Sequence, residues 1–117
     1  MRIALLLVGI IELIGGLITF IIPHLIFNDT NSLSIKLYGL AAMVIGISCL
    51  FVIRKGTDQR FFKTFFLIMM FFQGALAMIC SQDRTNSLVN NNEAVITHVV
   101  IFSILVIAYL KDLKPDQ

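Results

Sequence analysis

Four long apolar runs constrain this chain more than any other feature: Ile3 to Ile22, Leu33 to Ile53, Phe61 to Cys80 and Ala94 to Leu110, of 20, 21, 20 and 17 residues. A helix rises ~1.5 Å per residue and the hydrocarbon layer of a bilayer is ~30 Å thick, so each run is of spanning length. The runs are continuous rather than alternating at every second residue, which predicts helices and not strands. Backbone groups in hydrocarbon must bond within their own segment or within a closed barrel, and four segments are too few to close one. The 117 residues therefore read as a single transmembrane domain, residues 1–117, folded as an all-α integral membrane four-helix bundle.

Composition removes the competing classes. The chain is 58% apolar and 14% charged, against ~45–50% and ~25% in soluble domains, so neither disorder nor an ordinary soluble fold suits it. A soluble four-helix core would carry a polar stripe on every helix, and the first two runs carry none. Two cysteines are too few for a disulfide scaffold, and a net charge of +2 without a Lys/Arg run gives nucleic acid no footing. The first run exceeds the ~7–15 apolar residues of a signal peptide. No small-residue cleavage site follows it, only Phe20-Ile21-Ile22-Pro23-His24, so it reads as a retained span.

The connections are short. Pro23 to Ser32 is a loop that proline opens and Asn28 to Ser32 fill with turn formers, Asn31 or Ser32 being suited to cap the second helix. Arg54 to Arg60 is a basic turn, and Ser81 to Glu93 is polar and asparagine-rich. Four spans put the N-terminus, the middle turn and the tail on one side, with Arg2, Arg54, Lys55, Arg60, Lys63, Lys111 and Lys114. The other side has only Lys36 and Arg84. The positive-inside rule then predicts both termini cytoplasmic, in a multi-pass protein of the inner (plasma) membrane with the lipid bilayer as its solvent.

At 100° per residue, Gly9, Glu12, Gly16 and Thr19 share one face of the first helix within about 80°. Gly39, Ala42, Gly46 and Cys49 repeat the spacing in the second. Small residues let membrane helices approach closely, so Gly9, Gly16, Gly39, Ala42 and Gly46 are the expected packing positions. The third run places Gln73, Ala77 and Cys80 on a comparable face among six phenylalanines, which suit lipid contact or helix packing.

Glu12 is the most informative single residue. Nine residues into its helix, it lies ~13–14 Å deep, where an acidic group costs ~2.5–3.5 kcal/mol on insertion scales. It must pair, meet water or carry a proton. Gln73 and His98 each lie twelve residues from the same end of their helices, only ~4–5 Å farther along the membrane normal. An interior cluster of Glu12, Gln73 and His98 is expected, with Thr97 or Tyr38 at its fringe. Such a cluster either glues the bundle, at ~0.6–2 kcal/mol per interhelical bond, or handles a proton or ligand, or pairs with a basic residue of a partner.

No HxxxH, CxxC or HxxE spacing occurs, and neither does a nucleotide loop, nucleophile elbow or catalytic triad order. No metal site, catalytic residue or cofactor is therefore expected. Cys49 and Cys80 sit near opposite ends of their helices, ~22 Å apart in height, too far for a disulfide.

Gly15-Gly16-Leu17 running to Ile22-Pro23, and Leu37-Tyr38-Gly39-Leu40 through Ile45-Gly46-Ile47, together with length and four spans, resemble small bacterial membrane proteins of the DoxX-like and DUF4345-like groups. The resemblance implies a four-helix membrane fold, some of whose members are linked to respiratory or thiol-redox complexes. The expected function is that of a non-catalytic subunit or accessory factor, contacting a membrane-protein partner or forming a homo-oligomer. The alternative is a small proton-linked transporter or a binder of a lipophilic, quinone-like ligand that uses Glu12 and His98.

Overall fold

A computed structural model of the chain describes residues 1–25, 33–54, 57–82 and 92–113. Four helices make up the described residues: α1 (Arg2–Ile21), α2 (Leu33–Val52), α3 (Gln59–Gln82) and α4 (Asn92–Leu113). All four are long and apolar enough to cross a membrane. Residues 26–32, 55–56, 83–91 and 114–117 lie outside the described residues, and with them the turn formers Asn28 to Ser32, Lys55, Arg84, Lys114 and the cap expected at Asn31 or Ser32.

The end of α1 and the start of α3 have local causes. Pro23 stops α1, because its ring would collide with the carbonyl four residues back if the helix continued. The chain instead closes on itself, the Ile22 N–H bonding the Ile18 carbonyl at 2.7 Å before a 3-10 turn over Pro23–Leu25. α3 begins at Asp58, whose Oδ2 accepts the Phe61 N–H at 3.1 Å while its carbonyl accepts the Phe62 N–H at 2.9 Å. That is an N-cap, so Asp58→Ala is expected to cost about 1 kcal/mol in detergent-induced unfolding, with Asp58→Asn close to the parent. Both α3 and α4 run past the apolar runs that announced them. Helical hydrogen bonding does not stop where hydrocarbon stops, and residues such as Gln59, Lys111 and Asp112 continue the helix into a polar setting.

The bundle is two helical hairpins, α1 packed along α2 and α3 along α4, with a shorter meeting of α1 and α4. Glycines make the first hairpin tight. A Cβ at position 16 would lie 2.6 Å from the Gly39 carbonyl oxygen, and one at position 46 would lie 2.6 Å from the Leu13 nitrogen. The pairs 9/46 and 16/39 thus cross an antiparallel seam where the two backbones nearly touch, with Ala42 buried between them.

The end of the bundle that carries Met1 is filled by side chains from all four helices: Leu5, Val8, Cys49, Phe66, Ile101 and Leu105 are essentially inaccessible. Phe62 and Phe66 point inward there, whereas Phe61 and Phe71 are exposed. Arg2 closes this end, donating to the Ile53 carbonyl at 3.2 Å and lying 5.5 Å over the Phe62 ring. The Lys63–Asp112 pair at 3.8 Å is half exposed and adds little. Large aliphatic side chains cover the outside of every helix, a surface that suits lipid and not water.

Candidate functional site

The packed core ends at mid-bundle, and there each helix turns one polar side chain inward. Glu12 follows Val8 by four residues on α1, Gln73 follows Met69 by four on α3, and His98 precedes Ile101 by three on α4. All three continue the buried stripes of their helices. Tyr38 of α2 stands beside the seam glycine Gly39.

The four are joined in one line. The Gln73 side-chain amide, wholly buried, donates from Nε2 to Glu12 Oε1. Its Oε1 lies 2.7 Å from His98 Nδ1. An amide oxygen only accepts, so His98 carries its hydrogen on Nδ1. His98 Nε2 is then free to accept from the Tyr38 hydroxyl at 2.5 Å, the two rings meeting edge to face at 88°. Donation therefore runs in one direction, from Tyr38 to His98 to Gln73 to Glu12, and it ties all four helices together.

Two oxygens remain outside this accounting. Glu12 is 5% exposed and Thr19 is 2% exposed. Among the described residues, neither Glu12 Oε2 nor Thr19 Oγ1 has a hydrogen-bond partner. Ser48 and Ser103 show the usual alternative, each bonding the carbonyl four residues back at 2.8 Å, and Thr19 does not take it. No inaccessible side-chain polar atom lacks a partner among the described residues, so both oxygens border open space. That space is a cavity of about 460 Å³ between α1 and α4, with Tyr38 and Ala42 of α2 behind it. Its size falls in the ~300–1,000 Å³ range of small-molecule sites. Ile10 and Ile14, exposed on the outside of α1, form its rim, so the opening is lateral. Most of the lining lies in the half of the bundle away from Met1, while Ile10 and Ile11 stand near the middle of α1 and Ile101 is shared with the packed core.

The structure thus brings Glu12, Gln73 and His98 together and adds Tyr38 as a full member. Thr97 lines the cavity with an exposed side chain. Gly9, Gly16, Gly39, Ala42 and Gly46 lie in the α1–α2 seam, where Gly16 and Ala42 also border the cavity. Thr19 enters the site as well as the packing face, and Gly15, with nothing within 4 Å of where a Cβ would stand, opens onto the cavity. Cys49 and Cys80 are buried and free. Among the described residues no three His, Cys, Asp or Glu side chains converge on a point that could hold a metal ion. No protein-family model matches this chain, and no curated protein or solved structure matches it significantly.

Proposed function

We propose that this protein binds a small lipophilic molecule, which enters sideways from the bilayer between α1 and α4 and rests its polar head against Glu12 and Thr19. One observation carries this reading: a carboxylate at mid-bundle holds one oxygen in a directed hydrogen-bond line and offers the other, unpartnered, to a cavity with an apolar rim. Glue alone explains Oε1 but leaves Oε2 idle, and an idle polar atom in apolar surroundings is costly. A role as an accessory subunit would use the outer faces, which lipid covers equally well. The cavity is what lipid contact leaves without an explanation. With both termini in the cytoplasm of an inner (plasma) membrane, the cavity opens within the outer leaflet, and the packed core beneath it closes the way to the cytoplasm.

Gly15→Leu tests the site. No atom opposes a side chain at position 15, so the leucine grows into the cavity without disturbing the seam. Binding of an alkylphenol probe, followed by titration calorimetry in nanodiscs, is expected to weaken at least about 10-fold, equivalent to ~1.4 kcal/mol. The unfolding midpoint is expected to stay put. Unchanged binding with the cavity filled would eliminate it as the binding site.

A further inference from the structure

Hydrogen-bond accounting around Glu12 narrows the ligand class. Building on the binding reading above, we propose that the cavity selects lipophilic molecules whose polar head donates a hydrogen bond to Glu12 Oε2, over molecules of the same shape whose head only accepts.

Two arrangements of protons satisfy every bond in the line from Glu12 to Tyr38 and leave no proton on the oxygen that faces the cavity. In the first, the one the structure shows, Glu12 is a carboxylate that accepts from the Gln73 amide, Gln73 accepts from His98 Nδ1, and His98 Nε2 accepts from Tyr38. In the second, Glu12 carries a proton on Oε1 and gives it to the Gln73 amide oxygen. The amide is turned over and donates to His98 Nδ1, and His98 donates from Nε2 to the Tyr38 oxygen. The oxygen facing the cavity accepts in both cases: it is a carboxylate oxygen in the first and an acid carbonyl in the second. A third arrangement, with the proton on Oε2, would aim an O–H into apolar space with nothing to receive it, and burying an unsatisfied donor is unfavourable. The selectivity therefore holds for the ionised carboxylate and for the acid protonated on Oε1, the two states in which the oxygen facing the cavity accepts.

The neighbours do not alter this. Among the described residues, Tyr38 and Cys49 of α2 and His98 of α4 are the titratable groups facing Glu12, α3 presents the non-titrating Gln73, and the cavity lining contains no lysine or arginine. Thr19, two helical turns on, can donate or accept, so it leaves the choice to Glu12.

A matched pair of probes decides the matter: para-pentylphenol and its methyl ether, para-pentylanisole, titrated into the protein in nanodiscs with empty nanodiscs as the partition baseline. The expected result is a preference of about 10-fold for the phenol. In the double variant Glu12→Leu/Gln73→Leu, which removes the acceptor and the amide that faces it, that preference is expected to collapse to about parity while the ether still binds. Equal or tighter binding of the ether by the parent protein would overturn donor selection and leave the binding site standing. A phenol preference that survives in the double variant would also overturn it. If neither probe binds above the baseline, the binding reading itself falls.

Discussion

Gly16→Ala is expected to destabilise the protein by about 2–3 kcal/mol, while Gly15→Ala, one residue earlier, leaves it unchanged or slightly more stable. The contrast comes from what each added methyl group would meet. At position 16 the Cβ would stand 2.6 Å from the Gly39 carbonyl oxygen and 2.7 Å from the Met43 nitrogen. Both are backbone atoms of α2, so no rotamer change relieves the clash and the two helices must separate. Separation then loosens the rest of the seam, because the approach at 9/46 depends on the same interhelical distance. Membrane helices associate through close packing and not through a hydrophobic drive, so a seam held apart loses most of what joins it. At position 15 nothing lies within 4 Å, and replacing glycine by alanine in an open helical position is favourable by up to ~1 kcal/mol. Unfolding in mixed micelles of increasing dodecyl sulfate measures both. Equal midpoint shifts for the two variants would mean that the seam is not what holds the hairpin.

The parts of this architecture that depend on counting along one helix are legible in the sequence, and those that depend on how helices lean against each other are not. Rise per residue places Glu12, Gln73 and His98 at similar heights, and 100° per residue gathers the small residues of α1 and α2 on one face each; the structure has the former in contact and the latter in a seam. Tyr38 is the instructive case. Heights measured from the end that carries Met1 include the difference between runs of 21 and 17 residues, which lifts Tyr38 away from His98. Measured from the other end, Tyr38 is five residues in and His98 four, so they are level. Asp58 was hidden for another reason: it sits in a basic turn outside any apolar run, and its role shows only in the bond to the Phe61 N–H. The cavity has no signature in any single segment. It exists because the packed side chains stop at mid-bundle while α1 and α4 continue on either side of a gap.

Gln73→Leu is expected to cost about 2–4 kcal/mol, and adding Glu12→Leu to it should recover about 1–2 kcal/mol of that loss. Gln73 and His98 both bond on two sides from fully buried positions, and Gln73 is the one that links the line to Glu12. Leucine fills comparable space but offers neither a donor nor an acceptor. His98 can adjust by moving its hydrogen to Nε2 and donating to the Tyr38 oxygen, so its loss is limited to one bond. Glu12 has no such recourse, because Gln73 is its only hydrogen-bond partner among the described residues. A stranded acidic group in an apolar interior is worse than no polar group at all, since interhelical bonds in membranes contribute only ~0.6–2 kcal/mol each while an unsatisfied buried group costs ~1–3 kcal/mol. The second substitution removes the stranded group, which is why two changes should hurt less than one. Dodecyl sulfate unfolding of the parent, both single variants and the double closes the thermodynamic cycle. Strict additivity would show that Glu12 and Gln73 stabilise the bundle independently, and the directed line through the four helices would then have no energetic standing.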